Sequence, residues 1–141
     1  MTAITPVERA GALGDPRDLF DRQLTSGEAA LLVDDAGLVM AGRYPTPDGR
    51  DAGDDLSAAL SGVSDEASRA ARHLGFGEWQ SIVFESDAAI VALAPVTVRD
   101  TDDRAVLLVA TTCDTPLGAL RRTVARCLAL ASSWLASGRT A

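Results

Sequence analysis

Short unbroken apolar runs alternate with longer apolar stripes at helical spacing. Residues 1–14 show no sustained period and read as a loose lead-in. Asp15-Pro16 then supplies an N-cap and a proline at the first helical position, and Leu19, Phe20 and Leu24 fall near helical spacing. This predicts a first helix that ends by Gly27. The run 29–33, Ala-Ala-Leu-Leu-Val, reads as a strand covered on both faces, since no polar residue interrupts it. Asp34-Asp35-Ala36-Gly37 is turn chemistry, and 38–41 resumes the apolar signal, so the pair predicts a β-hairpin. A loop rich in Pro, Gly and Asp follows at 45–53.

The second half repeats the scheme at larger scale. Leu56, Leu60, Val63, Ala67, Ala70, Ala71 and Leu74 recur at three and four, which predicts a long helix over 54–74. Asp54 or Asp55 is its expected cap, and Gly75 stands where a left-handed C-cap belongs. Strands are expected at 78–85, 88–98 and 105–110, the last a buried central one. Thr115-Pro116 opens a final helix with the stripe Leu117, Leu120, Val124, Cys127, Leu128, Ala131 and Leu135. The order α-β-β-α-β-β-β-α with short turns implies a five-stranded antiparallel sheet covered by three helices. The fold class is therefore a one-domain α/β sandwich over 15–137, with a short tail at 138–141.

A chain of 141 residues is long enough to bury such a core without metal or disulfide staples. Apolar residues make up 47% and charged ones 23%, which excludes a largely disordered chain. The longest apolar run, 88–96, is far too short to span a membrane, and the N-terminus has no export pattern. A cytoplasmic location is expected, with no membrane insertion. The net charge of −7 argues against nucleic acid as a partner. Every cation is Arg. Residues 115–141 carry Arg121, Arg122, Arg126 and Arg139 without an acid, +4, which leaves −11 on the first 114. That polarity either orients a partner or is a solvated helix face.

Catalytic chemistry finds little support. His73 is the sole histidine, and its place at a helix C-terminus suits the helix dipole. No phosphate-binding glycine motif follows a strand, and Gly75-Phe76-Gly77 reads as a helix-to-strand connector. Cys113 and Cys127 lack the companions of a zinc site and are expected to be reduced, partly buried thiols. Asp100, Asp102 and Asp103 alternate as in a calcium loop, but no Gly or closing Glu follows, so a solvated turn is the simpler reading. Thr111, Thr112, Asp114 and Thr115 are expected to cap the last helix. No catalytic residue, cofactor or metal is expected.

A binding role finds more. The expected strand at 78–85 places Trp79, Ser81 and Val83 on one face and Gln80, Ile82 and Phe84 on the other. At a sheet edge its open backbone would invite a partner. The preceding helix carries a second row of small or short residues, Ala58, Ser61, Gly62 and Asp65, which lets another helix approach closely. Edge strand and small-faced helix together suit an isologous two-fold interface, so a homodimer is expected; the alternative is a monomer with a short twisted edge.

The chain resembles the Roadblock/LC7 domain family. The likeness rests on the strand-turn-strand opening from Ala29 to Val39, with its Asp34-Asp35-Ala36-Gly37 turn, and on the Ala- and Leu-rich helix at 54–74. It continues through the strand pair around Ile82 to Val96, the run 105–110, and Pro116-Leu117-Gly118 entering the final helix. It covers about residues 15–137, and the bacterial branch that regulates small Ras-like GTPases is the nearest likeness. The resemblance implies a five-stranded sheet with the second helix on one face and the first and third on the other. It also implies dimers that pair the third strand and second helix across a two-fold axis, and an adaptor in place of an enzyme. The implied partner is a small Ras-like GTPase whose GTP hydrolysis such domains can stimulate. Arg69 and Arg72 on the second helix are the candidates to face it, since an arginine supplied in trans is worth ~10³–10⁵ in rate where one operates. The chain departs from the pattern in its short first helix, in its long 45–53 loop and in the lack of an extension after the third helix.

Two other readings stay open. One is a signalling or motor scaffold dimer with no effect on nucleotide turnover. The other is a small-ligand sensor of the PAS, GAF or profilin-like kind, which requires a sizeable closed pocket between sheet and helix. An aromatic content of 4% and many small residues favour a filled core.

Overall fold

The computed structural model describes residues 14–97 and 104–137. Each apolar run becomes a strand: β1 (Ala29–Asp34), β2 (Val39–Arg43), β3 (Ile82–Glu85), β4 (Ala89–Thr97) and β5 (Arg104–Thr112). The two long stripes become α1 (Gly53–His73) and α2 (Leu117–Ala136). The expected first helix is instead two 3₁₀ turns, Pro16–Asp18 and Asp21–Gln23. Its N-terminus is as the sequence indicates, with the Asp15 carboxylate accepting the Arg17 N–H ahead of Pro16. The single stripe Leu19, Phe20 and Leu24 is too short to sustain α-helical turns, and 3₁₀ geometry suffices to bury Phe20.

The sheet is antiparallel throughout, in the order β2-β1-β5-β4-β3. Because side chains alternate, each strand feeds two cores. On one face Leu32, Leu107, Val109 and Ile90 pack with Phe20 and with Leu120, Cys127, Ala131 and Trp134 of α2. On the other, Leu31, Val91, Leu93 and Leu108 meet Leu56, Leu60 and Val63 of α1. The 3₁₀ turns and α2 thus share one face and α1 takes the other, as the resemblance implied.

Several local expectations need correction. The Asp54 and Asp55 carboxylates sit in the first turn of α1, where they suit the dipole, but the cap comes from Asp51. Its Oδ1 accepts both the Gly53 and the Tyr44 N–H at 2.9 Å, which fixes the long loop and the helix entry together. Thr111, Thr112, Asp114 and Thr115 bond mainly to one another and do not cap α2. Leu117 is exposed, whereas Thr123 and Trp134 are buried. The cysteines differ sharply: Cys113 is exposed, while Cys127 is fully buried and its thiol is pushed up to about 11 by desolvation. At the other end of α1 the expectation holds. Gly75 has φ +68°, and the Phe76 and Gly75 N–H groups bond to the Ala71 and Arg72 carbonyls in a Schellman cap. Residues 1–13, the Asp100, Asp102 and Asp103 cluster, and the tail at 138–141 lie outside the described residues.

Glu28 ties the 3₁₀ segment, β1 and α2 together. Its carboxylate accepts the Thr25 N–H at 2.7 Å, the Thr25 hydroxyl at 2.9 Å and the Thr123 hydroxyl at 3.1 Å. Partial burial opposes ionisation, but these hydrogen bonds and nearby Arg126 outweigh it and hold the pKa below 4.5. The unfolded chain therefore takes up this proton first as pH falls. Stability from Glu28 is complete above pH 4.5 and is lost as pH drops through the lower folded value. Glu28→Gln is expected to flatten this part of the acid limb, checked by melting temperatures between pH 6 and pH 3.

Candidate functional site

The two sides of the molecule are finished to different degrees. At one sheet edge β2 lies against the first 3₁₀ turn, held by the Arg43 guanidinium, which pairs with Asp18 and reaches Asp21 at 3.8 Å. At the other edge β3 pairs, among the described residues, only with β4, through Ile82 to Glu85 opposite Ile90 to Leu93. α2 buries Leu120, Thr123, Cys127, Ala131, Trp134 and Leu135, while α1, of similar length, buries only Gly53, Ser57 and Ala71. Leu56, Leu60 and Val63 remain partly exposed. Among the described residues, three of the five exposed large apolar residues, Leu74, Phe76 and Phe84, belong to the α1–β3 segment. Apolar exposure concentrated in one segment marks an interaction surface more than scattered exposure does.

The sequence-derived residues divide on this surface. Ala58, Gly62 and Asp65 are exposed on α1, and a Cβ added at Gly62 would meet nothing within 4 Å. Ser61 is exposed but abuts the β1–β2 turn, where a Cβ on Gly37 would stand 2.9 Å from its own Cβ. The strand begins at Ile82, so Trp79 and Ser81 precede it. Trp79 and Val83 do not share a face: Trp79 packs with Ile82 against α1, its Nε1 donating to Ser68 Oγ at 2.9 Å, and Val83 packs toward α2. Ser81 is exposed. Phe84, which the alternation already placed on the face of Ile82, lies on the α1 face opposite Val91 and is an exposed apolar residue of this edge outside the expected interface set.

The candidate arginines also separate. Arg69 Nη1 is held by Glu66 Oε1 at 2.8 Å within the helix. Arg72 is exposed and makes no ion pair among the described residues. His73 is exposed in the last turn of α1, in keeping with the dipole. Among the described residues no cluster of three His, Cys, Asp or Glu side chains fits a metal ion, and no helix is long and apolar enough to cross a membrane.

The core between α1 and the sheet is packed around Leu31, Leu93 and Leu108, and a space open to solvent lies beside it. A half-open cleft of about 950 Å³ separates the C-terminal half of α1 from the ends of β4 and β5, bordered by Ser68, Arg72, Trp79, Pro95, Arg104 and Val106. A void of about 30 Å³ lies beside it, against Leu93 and Leu108. Nothing in the linear pattern signals this cleft, because its lining joins α1, the segment 75–79 and the ends of β4 and β5, which are distant in sequence.

The described architecture has clear counterparts. A Roadblock/LC7 domain from Streptomyces avermitilis superposes with a TM-score of 0.68 at 19% identity, over 86% of this chain and 98% of that one. MglB from Myxococcus xanthus gives 0.64 at 19% identity, over 94% and 99% of the two chains. The gliding protein MglB from Thermus thermophilus gives 0.62 at 21%, over 94% and 92%. At these identities the likeness establishes the fold. No curated protein matches the chain by sequence. The sequence profile of the Roadblock/LC7 domain, however, matches residues 19–111, from the buried Phe20 turn through β5. This chain belongs to the Roadblock/LC7 domain family.

Proposed function

We propose that this chain is a non-catalytic homodimeric adaptor that binds a small Ras-like GTPase and regulates its nucleotide cycle. The observation that carries the reading is the unfinished α1–β3 side, with an unpaired strand edge, a half-buried helix and exposed Leu74, Phe76 and Phe84. Pairing two β3 edges about a two-fold axis would continue the sheet and bring two α1 helices together at Ala58, Gly62 and Asp65. Family membership and the MglB counterparts, one of them solved in a tetrameric arrangement, support self-association. The paired helices would then present a platform that orders the switch loops of the GTPase and shifts its state populations. Of the two candidate arginines Arg72 is the one free to reach a partner, since Arg69 is engaged by Glu66.

Light scattering on the wild type, Phe84→Asp and Gly62→Arg tests the dimer. The wild type is expected at twice the chain mass and both variants at the chain mass, with unchanged circular dichroism. Gly62→Ala is the control: it should remain dimeric and gain about 1 kcal/mol in thermal stability, because the site has open space and alanine favours helix. A monomeric wild type would overturn the reading. The regulatory half is tested by binding to the organism's Ras-like GTPases loaded with GDP or a non-hydrolysable GTP analogue. Preference for one form is expected, and equal affinity would favour the scaffold alternative.

A further inference from the structure

A second copy can pair with β3 in few registers. The strand is four residues long, Ile82–Glu85. Residues directly opposite each other in an antiparallel sheet share a face. A sheet continued about a two-fold axis keeps both α1 helices on one side. Ile82 and Phe84, on the α1 face, therefore meet only each other or themselves, and Val83 and Glu85 likewise on the α2 face. Two registers then align most of the strand. One centres on Val83 and sets Ile82 opposite the partner's Phe84; the other centres on Phe84 and sets Val83 opposite the partner's Glu85. The backbone serves both. The Ser86 N–H bonds to the Ala89 carbonyl at 2.8 Å, and the Cys113 N–H to the Ala88 carbonyl at 3.2 Å. Bonded pairs recur at every second residue, so Ala89, Val91 and Leu93 bond toward Ser86, Phe84 and Ile82. The N–H and C=O groups of Val83 and Glu85 thus point away from β4, to the open edge. Side chains decide between the registers. Centring on Phe84 lays each Glu85 carboxylate against the partner's Val83 and brings the two carboxylates to diagonal positions, about 7–8 Å apart. Centring on Val83 covers the exposed Phe84 with Ile82 twice and moves the carboxylates about 14 Å apart along the strands. Aromatic and β-branched residues stabilise each other across strands, and like charges oppose pairing.

We infer that the two-fold axis of the dimer passes beside Val83, with Phe84 of each chain packed on the partner's Ile82. The register rests on the dimer reading above and assigns the contacts within it: Val83 meets its own copy on the α2 face, and the two Ile82–Phe84 pairs close the α1 face beneath the paired helices.

Disulfide trapping of the full chain tests the register, once light scattering has given the mass of the wild type. A Cys113→Ser background removes the exposed native thiol, and Cys127 is buried. Val83→Cys places two thiols at the axis, on α-carbons about 5.5 Å apart and within disulfide reach. Phe84→Cys places them diagonally, about 7–8 Å apart and out of reach. Mild oxidation with diamide is expected to convert most Val83→Cys chains to linked dimer and to leave Phe84→Cys chains unlinked. The double variant Ser81→Cys/Glu85→Cys alters two exposed positions and leaves the half-buried Val83 intact. Only in this register does Ser81 stand opposite the partner's Glu85, so linked dimer is expected again. If Val83→Cys loses the wild-type circular dichroism, the double variant decides alone. With a dimeric wild type, linkage through Phe84→Cys, or no linkage through Val83→Cys and the double variant, overturns the register and leaves the dimer standing. A monomeric wild type overturns both.

Discussion

Gly42→Ala is expected to cost about 3 kcal/mol or more, a fall of about 10 °C in melting temperature for a domain of this size. Gly42 lies within β2 at φ +86°, and a Cβ there would stand 2.1 Å from the Ala30 carbonyl oxygen and 3.0 Å from its carbon. These are backbone atoms of the partner strand, so no rotamer change relieves the clash. The β1–β2 pairing must open, and it is already irregular between Leu32 and Val33. Gly49→Ala separates the two contributions, because Gly49 has φ +87° but nothing within 4 Å of an added Cβ. That variant carries the conformational strain alone, at about 1 kcal/mol. Chemical denaturation of both variants checks the comparison. Equal losses would show that strain, and not the approach to Ala30, sets the cost.

Leu107→Ala and Leu108→Ala should differ although the residues are adjacent and almost fully buried. Leu107 faces the α2 side, among Leu32, Leu120 and other tightly packed neighbours. Its truncation is expected to cost about 4–5 kcal/mol, near the top of the range for leucine in a core. Leu108 faces α1 and already borders the void of about 30 Å³, which has room for only one or two waters. A side chain beside a void has fewer partners to lose, so about 2–3 kcal/mol is expected. Equilibrium unfolding in urea measures both, and an equal or reversed order would mean that the α1 face is packed as densely as the other.

The residues differ in how much of their role can be read from the chain. Both long helices, the hairpin and the central strand follow from period alone, since a run such as 29–33 has no polar residue to turn outward. The Gly75 cap was likewise legible, because only a left-handed residue fits between the end of the stripe and the next strand. The start of β3 was not. Trp79 and Ile82 are both apolar, but the first anchors to Ser68 eleven residues back, and periodicity carries no information about such contacts. Asp51 was missed as the cap of α1 because it caps from outside the helix while also fixing Tyr44. The candidate interface residues on α1 were identified by their size and spacing, whereas the cleft joins segments distant in sequence and leaves no local trace.

The strand order carries a consequence for how the chain acquires its shape. β5, the last strand to emerge during synthesis, sits between β1 and β4. Until residues 104–112 are available, the β1–β2 and β3–β4 hairpins have no strand to join them, and each exposes a bare inner edge. The two halves are therefore expected to wait as separate, adhesive ribbons and to consolidate in one late step. A chain cut before Arg104 is therefore expected to aggregate, and one that includes residues 104–112 can close the sheet.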